Sequence, residues 1–173
     1  MSKVNIRDMF HNVFGNNSNE VKPNKMEKKY YIAYGSNTLE EQMKRRCPDS
    51  AVVGTAVLEG FELEFRGAAT VVPKQGSRTP VLIWEISELD EIRLDVCEGV
   101  HNDVYRKEMQ EIQIGGKTIS GMMYVKNGGE VSPPKKSYAQ RIFQGYAQHG
   151  MDVKYVNDAI LKAWIFCRTE VLS

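Results

Sequence analysis

The chain has 173 residues, which is enough to bury the core of one domain. Its 23 basic and 22 acidic residues nearly cancel, and this balance does not favour a nucleic-acid or membrane partner. No apolar run approaches the roughly 18 residues that a membrane-spanning helix needs. The first twenty residues carry charges without the apolar segment of a signal peptide. The three cysteines, Cys47, Cys97 and Cys167, match no metal-ligand spacing, so we expect reduced thiols, no metal and a cytoplasmic protein.

The chain divides once, near residue 30. The segment IRDMFHNVF at 6–14 places apolar residues on one helical face, and the polar segment GNNSNEVKPNKMEKK follows it. We predict an N-terminal arm and linker over 1–29 and a single domain over 30–173. The apolar face of the arm could dock on the domain or on a second copy, which leaves both a monomer and a homodimer open.

The first half of the domain carries mainly strand patterns. We predict strands with turn residues between them, at LEG and again at KQGSR after a proline, and one short helix from Leu39 to Arg46. In VLIWEIS alternate apolar residues occupy both faces, which is typical of a central, buried strand. The predicted strands are YYIAY, AVVGTAVL, FELEF, GAATVVP and VLIWEIS.

The second half mixes helices with a hairpin. Residues 88–97 are predicted to be helical, with Leu89, Ile92 and Val96 in register, and GG joins YRKEMQEIQI to KTISGMMYV as a hairpin. Two helices close the chain, with inward stripes predicted at Tyr138, Ile142, Gly145, Tyr146 and at Val153, Val156, Ile160, Trp164. The pattern favours a mixed α/β (α+β) fold with a curved, barrel-like β-sheet flanked by helices.

Four small polar residues separate the first strand from the first helix. Gly35, Ser36, Asn37 and Thr38 could present unpaired N–H groups in one direction, and such a concavity attracts carboxylates and developing oxyanions. A capped helix start is the alternative explanation. Asn37 or Thr38 could cap the helix, and Thr38 with Glu41 has capping-box spacing.

A second unusual position is Glu98. Ser87 with Asp90 is predicted to cap the preceding helix, and Gly99 is suited to end it in a left-handed conformation. The macrodipole opposes a negative charge at a helix C-terminus, and burial would raise the pKa of this carboxyl toward the range useful for a general base. A solvated surface glutamate is the alternative interpretation.

Taken in order, these motifs resemble the γ-glutamyl cyclotransferase family. The resemblance covers about residues 30–160 and is carried by YIAYGSN at 31–37, EGV at 98–100, a tyrosine-containing strand VYRKE at 104–108 and SPPKKSY at 132–138. It implies that family's fold, and it implies an intramolecular reaction in which the α-amine of a γ-glutamyl compound attacks its own γ-carbonyl. The products of that reaction are 5-oxoproline and a free amino acid or amine.

The resemblance also implies a role for each matching residue. Glu98 matches the family's catalytic glutamate, and the other matching positions are expected to bind substrate: Tyr34, Gly35, Ser36, Asn37, Thr38, Tyr105 and Tyr138. The reaction requires positioning and oxyanion donors, and we expect no cofactor and no partner other than the small-molecule substrate. Thr38 departs from the leucine found at this position in many members.

Two other functions remain open on the sequence. A serine hydrolase could use Ser36 with His101 and Asp103, although AYGSN lacks the Gly-x-Ser-x-Gly elbow. A catalytically idle family member could bind a small carboxylate ligand. Among γ-glutamyl amino acids, amines and biosynthetic intermediates, the sequence does not select the substrate.

Overall fold

A single five-stranded sheet with four helices makes up residues 29–170, the part of the chain that the computed structural model describes. Two 3₁₀ turns, Ser36–Thr38 and Val100–Asn102, follow the first strand and the second helix. In chain order, the strands and helices are β1 (Lys29–Ala33), α1 (Glu40–Arg46), β2 (Ala51–Arg66), β3 (Ala68–Ile86), α2 (Glu88–Cys97), β4 (Tyr105–Ile114), β5 (Lys117–Lys126), α3 (Lys136–Gln148) and α4 (Lys154–Glu170).

The sheet has the order β2-β3-β1-β5-β4. β1 is central, antiparallel to β3 with Ile32 opposite Ile83, and parallel to β5 with Tyr31 opposite Met122. The hairpin β4–β5 turns at Gly115 and Gly116, which both have positive φ, as the GG pair predicts. The edge strands β2 and β4 line the two sides of a groove without pairing, so the sheet is curved but not closed.

Two predicted turns are wrong, because both segments lie within long strands and face each other at one irregularity in the pairing of β2 with β3. β2 continues through LEG with a register shift between Glu59 and Phe61, where Gly60 has φ 77°. β3 continues through KQGSR, and residues 74–77 lie between its paired positions Pro73 and Arg78. Glycine and polar residues build a bulge as readily as a turn, so local composition does not distinguish the two.

One helix buries a different face from the one predicted. On α2 the buried residues are Asp90 and Leu94, one turn apart, whereas Leu89, Ile92 and Val96 lie on the other side of the helix and are exposed. Of the stripe predicted for α4, Val156 is buried, Val153 and Ile160 are partly buried against the core, and Trp164 alone is exposed. The stripe predicted on α3 is buried as expected at Ile142, Gly145 and Tyr146.

The mixed α+β fold with a curved sheet is therefore confirmed. β1 begins at Lys29, one residue before the predicted domain boundary, and residues 1–28 of the predicted arm and linker (1–29) lie outside the described residues. Within 29–170, no helix is both long and apolar enough to cross a membrane. The topology brings the end of β1, the end of α2 and the start of α3 to one side of the sheet, where the candidate site lies.

Candidate active site

A cavity of about 210 Å³ opens between the loop after β1 and the C-terminal end of α2. Glu98 and Arg46 are the two ionised side chains that line it within the described chain. Residues 34–37 of the loop form one wall. The other walls are dominated by aromatic rings, and the lining includes five tyrosines: Tyr31, Tyr34, Tyr105, Tyr124 and Tyr138.

The loop after β1 is a tight turn and not a helix cap. The N–H group of Thr38 donates to the carbonyl of Gly35 at 3.1 Å, and the hydroxyl of Thr38 donates to the same carbonyl at 2.8 Å. Helix α1 begins after Leu39, which provides no side-chain cap. The predicted cap by Asn37 or Thr38, and the capping box with Glu41, are therefore wrong: the Thr38 hydroxyl bonds within the turn, and the Asn37 side chain is used elsewhere in the site.

Three backbone donors of this turn have no partner in the part of the chain that the structure describes. Among residues 29–170, no hydrogen bond uses the N–H groups of Gly35, Ser36 or Asn37, although all three residues line the cavity. Ser36 and Asn37 are also buried, so these polar groups have little access to bulk water. Unpaired, buried N–H groups at the wall of a cavity are suited to binding an anionic oxygen.

Asn37 is the centre of a buried hydrogen-bond network. Its Nδ2 donates to the Tyr31 hydroxyl at 2.8 Å and to Glu98 Oε1 at 3.1 Å. Its Oδ1 accepts from Gln42 Nε2 at 2.9 Å and from Arg46 Nη1 at 2.8 Å. The indole N–H of Trp84 donates to the Asn37 carbonyl at 3.0 Å. Every polar atom of the amide side chain is engaged, so its orientation is set by the network.

Glu98 owes its position to signals that are local in the sequence. The capping box of Ser87 and Asp90 starts α2, and Gly99, with φ 66°, ends it in the left-handed conformation, as predicted. A Cβ at Gly99 would lie only 3.1 Å from Val104. These features hold Glu98 at the C-cap, directly after the last helical residue, Cys97, and its side chain lines the cavity, where it is only 16% exposed.

Burial raises the pKa of Glu98 above its ordinary value. The guanidinium of Arg46, at 3.2 Å, opposes that shift, as does the hydrogen bond from Asn37. The carboxylate contacts a cation, Arg46, and an amide, Asn37. The carboxylate is thereby held in one place while its proton affinity stays raised, which suits a group that accepts and returns a proton.

The tyrosine hydroxyls are tied mainly to backbone groups. Tyr34 donates to the carbonyl of Tyr124, and Tyr105 donates to the carbonyl of Ala69 at 2.9 Å. The N–H group of Ala69 donates to the Tyr138 hydroxyl at 3.2 Å. Burial raises the pKa of each of these three phenols, so they stay neutral. Their rings give the cavity rigid walls.

Of the residues predicted to bind substrate, all but one line the cavity together with Glu98. The exception is Thr38, which is fully buried beneath the turn and does not reach the cavity. The loop residues His101, Asn102 and Asp103 are exposed and lie outside the cavity. The predicted substrate-binding residues that line the cavity are Tyr34, Gly35, Ser36, Asn37, Tyr105 and Tyr138.

Sequence reasoning missed six residues of the cavity wall, three of which have small side chains: Ala68, Ala69 and Cys97. The other three contribute larger polar side chains. Arg46 reaches the cavity from the last turn of α1, Tyr31 from β1 and Tyr124 from β5. A basic residue in the last turn of a helix is ordinary, so Arg46 carried no local signal. For Tyr31 the one available indication was that it lies on the same short segment as Asn37, since β1 continues directly into the loop. Among residues 29–170, no cluster of His, Cys, Asp and Glu is arranged to hold a metal ion.

The family model described as Gamma-glutamyl cyclotransferase, AIG2-like, matches residues 31–146. This chain belongs to the γ-glutamyl cyclotransferase family. The matched region contains the loop, Glu98, Arg46 and all five tyrosines of the cavity. The family assignment made from the motifs is confirmed.

Individual relatives agree with that assignment. The gamma-glutamylcyclotransferases of Homo sapiens and Mus musculus are each 29% identical to this chain over 140 residues, covering 72% of this chain and 73% of each relative. A solved structure of a protein named gamma-glutamyl cyclotransferase superposes with a TM-score of 0.71 at 26% identity. That superposition covers 77% of this chain and 86% of the other. The homologues support membership in a family of cyclotransferase enzymes.

Proposed function

We propose that this protein is a cyclotransferase that converts a γ-glutamyl amino acid or γ-glutamyl amine to 5-oxoproline and the free amino acid or amine. The observation that carries the proposal is the position of Glu98. The Glu98 side chain is a buried carboxylate with a raised pKa, and Asn37 and Arg46 hold it in place. It lines the same small cavity as Gly35, Ser36 and Asn37, whose backbone N–H groups have no partner within the described residues.

In the proposed reaction the neutral α-amine of the substrate attacks its own γ-carbonyl carbon. A C–N bond forms, Glu98 accepts the proton released by the amine, and the carbonyl oxygen becomes an oxyanion. The N–H groups of Gly35, Ser36 and Asn37 are the donors available for that oxygen. Glu98 then returns the proton to the leaving nitrogen as its bond to the γ-carbon breaks. No water is consumed and no covalent enzyme intermediate forms.

The cavity suits a step that depends on folding the substrate. A five-membered ring closes only when the amine and the γ-carbonyl carbon approach within about 3–3.5 Å, which is a problem of positioning. The volume of about 210 Å³ is sufficient for a compact acyl group. The tyrosine walls have hydroxyls fixed to backbone groups, so the cavity keeps its shape. Tyr34, Tyr105 and Tyr138 are proposed to bind the substrate by holding it between their rings in the folded conformation.

A serine hydrolase is less well supported. Ser36 lines the cavity, but its hydroxyl accepts a hydrogen bond from Gln42 at 2.8 Å. Within residues 29–170, no histidine lines the cavity, and His101 and Asp103 are exposed outside it. A serine nucleophile needs an adjacent base, and the described residues offer Ser36 none with the geometry of a triad.

The deciding experiment is a panel of γ-glutamyl compounds that includes amino acids, amines and larger intermediates. We expect at least one of them to release 5-oxoproline with the purified protein, and we expect Glu98→Gln to lose about 10²–10⁴-fold of that rate. Glu88→Gln, at the exposed first turn of the same helix, is the matched control and should keep the native rate. If no member of the panel is turned over, a catalytically idle protein that binds a small carboxylate takes the place of this proposal.

A further inference from the structure

Arg46 has hydrogen-bonding capacity that the site does not use. Its Nη1 donates to Asn37 Oδ1 at 2.8 Å and to Glu98 Oε1 at 3.2 Å. In the described part of the chain no hydrogen bond uses its Nε or Nη2. A guanidinium carries five N–H donors, and most of those of Arg46 are therefore left for another partner. The side chain is 30% exposed and lines the cavity, so a ligand in the cavity has access to it.

The charges in the cavity form an adjacent pair. Arg46 and Glu98 are 3.2 Å apart and are the two ionised groups that line the cavity within residues 29–170. An α-amino acid presents the complementary pair, because its α-carbon carries both an amine and a carboxylate. Because Arg46 and Glu98 are 3.2 Å apart, a ligand whose amine lies at Glu98 can place its carboxylate within reach of Arg46. A planar guanidinium with free donors is suited to bind a carboxylate through two parallel bonds.

We propose that Arg46 binds the α-carboxylate of the γ-glutamyl group and thereby determines specificity for acyl groups that carry one. The inference rests on the proposed function for the identity of the ligand, and it adds the residue that distinguishes a γ-glutamyl compound from a 4-aminobutanoyl compound. Both acyl groups carry a primary amine at the same distance from the carbonyl and close the same five-membered ring. They differ in the carboxylate, so the change in preference caused by substituting Arg46 isolates the contact with that carboxylate.

Arg46 has a second effect that the experiment must separate from this one. Its positive charge lowers the proton affinity of Glu98, and a variant without that charge will change the catalytic carboxylate for every substrate. In both compounds Glu98 is proposed to accept the proton of a primary amine, so a change in Glu98 acts on both reactions. The change in the ratio of their kcat/KM values between wild type and variant cancels that effect and the intrinsic difference between the two amines, and it leaves the contribution of the carboxylate contact.

The test compares lactam formation from a γ-glutamyl anilide and from the matching 4-aminobutanoyl anilide. The wild type should prefer the γ-glutamyl compound by roughly 10–100-fold in kcat/KM, the range expected for a charge-assisted hydrogen-bonded pair. Arg46→Gln should lose most of that preference, and Arg46→Lys should retain part of it. Arg45→Gln is the matched control, since Arg45 is an exposed neighbour paired with Glu41, and it should keep the native ratio. An unchanged ratio in Arg46→Gln would overturn the inference.

Ligand binding provides a readout that does not require turnover. Calorimetry with 5-oxoproline and with 2-pyrrolidinone, its counterpart without a carboxylate, should show that the wild type prefers 5-oxoproline and that Arg46→Gln does not. If no γ-glutamyl compound is turned over but this Arg46-dependent preference is present, the proposed function fails and the carboxylate site stands. If the wild type binds the two lactams equally, the carboxylate site is overturned. If Arg46→Gln does not fold, the kcat/KM ratio and the binding of the two lactams are measured with Arg46→Lys. A lysine cannot form two parallel bonds to a carboxylate, so a preference as large as that of the wild type in Arg46→Lys contradicts the proposed paired bonds.

Discussion

Asn37 and Glu98 lie 61 residues apart in the chain, and the side-chain amide of Asn37 donates to the carboxylate of Glu98 at 3.1 Å. The same amide group also donates to the Tyr31 hydroxyl and accepts from Arg46. This relationship joins the loop after β1 to the end of α2. It makes the protonation of Glu98 depend on residues from three separate elements.

Glu98→Gln should change how stability depends on pH. Burial raises the pKa of Glu98 in the folded protein, so the folded state binds this proton more tightly than the unfolded state does. The associated stability is fully present below the unfolded pKa of about 4.3 and is lost as the pH rises through the folded pKa. The variant lacks this loss, so its stability relative to the wild type should increase across that window and then level off. Urea unfolding at pH values from about 4 to about 8 measures the difference. A difference that stays constant or reverses across this range contradicts the raised pKa.

Asn37→Asp should move the activity profile to higher pH. A second carboxylate next to Glu98 disfavours its ionised form, and the acid limb of the rate profile should shift upward by roughly 1 unit or more. Asn37→Ala removes the hydrogen bond without adding a charge and should shift the limb less. The measurement is kcat/KM against pH for the best substrate of the panel. Coincident acid limbs in the wild type and Asn37→Asp would show that Glu98 does not set the profile.

Ser36→Ala should retain most of the activity. The serine hydroxyl accepts from Gln42, whose Nε2 also donates to Asn37 at 2.9 Å, so the network keeps one of its two bonds. We expect a loss of rate below about tenfold, because the proposed contribution of this residue is its backbone N–H. Loss of a serine nucleophile would cost at least about 10³-fold. Steady-state kinetics with thermal unfolding as the folding control separates the two mechanisms.

Tyr138→Phe should affect substrate binding more than the chemical step. The hydroxyl accepts from the N–H of Ala69 at 3.2 Å and would lie 3.4 Å from a Cβ at Gly35, so it helps to place the loop. Its loss should cost about 1 kcal/mol of stability and raise KM with a smaller change in kcat. Tyr155→Phe on α4, outside this cavity, is the control. A variant with a native KM and a large drop in kcat would instead indicate a role for the hydroxyl in the reaction itself.

Gly145→Ala tests how α3 supports the loop. A Cβ at this position would lie 2.7 Å from the backbone N of Leu39 and 2.7 Å from the backbone carbonyl carbon of Thr38, so the helix or the turn must move. We expect about 1–3 kcal/mol of destabilisation together with a loss of activity, since the displaced turn carries the N–H donors. Gln144→Ala, at an exposed position on the same helix, should leave both quantities unchanged. Native activity in a destabilised Gly145→Ala would mean that the turn is held by other contacts.

Three features of the fold and the site were determined by short-range signals in the sequence. The capping box of Ser87 and Asp90 and the left-handed Gly99 place Glu98 at the end of α2, and each depends on residues within one or two turns. The pair Gly115-Gly116 likewise determines the hairpin. Such elements form wherever the local backbone geometry permits them, so their sequence signatures are specific.

Tertiary structure alone decided which of the remaining side chains share the site. Arg46 and Tyr124 come from elements with no local sign of function. They line the same cavity as Glu98 because β1 and β5 are neighbours in the sheet and α1 follows the loop after β1. The same packing leaves the apolar residues Leu89, Ile92 and Val96 exposed on α2. Periodicity states that a helix has an apolar face, but which face is buried depends on contacts between residues far apart in the chain.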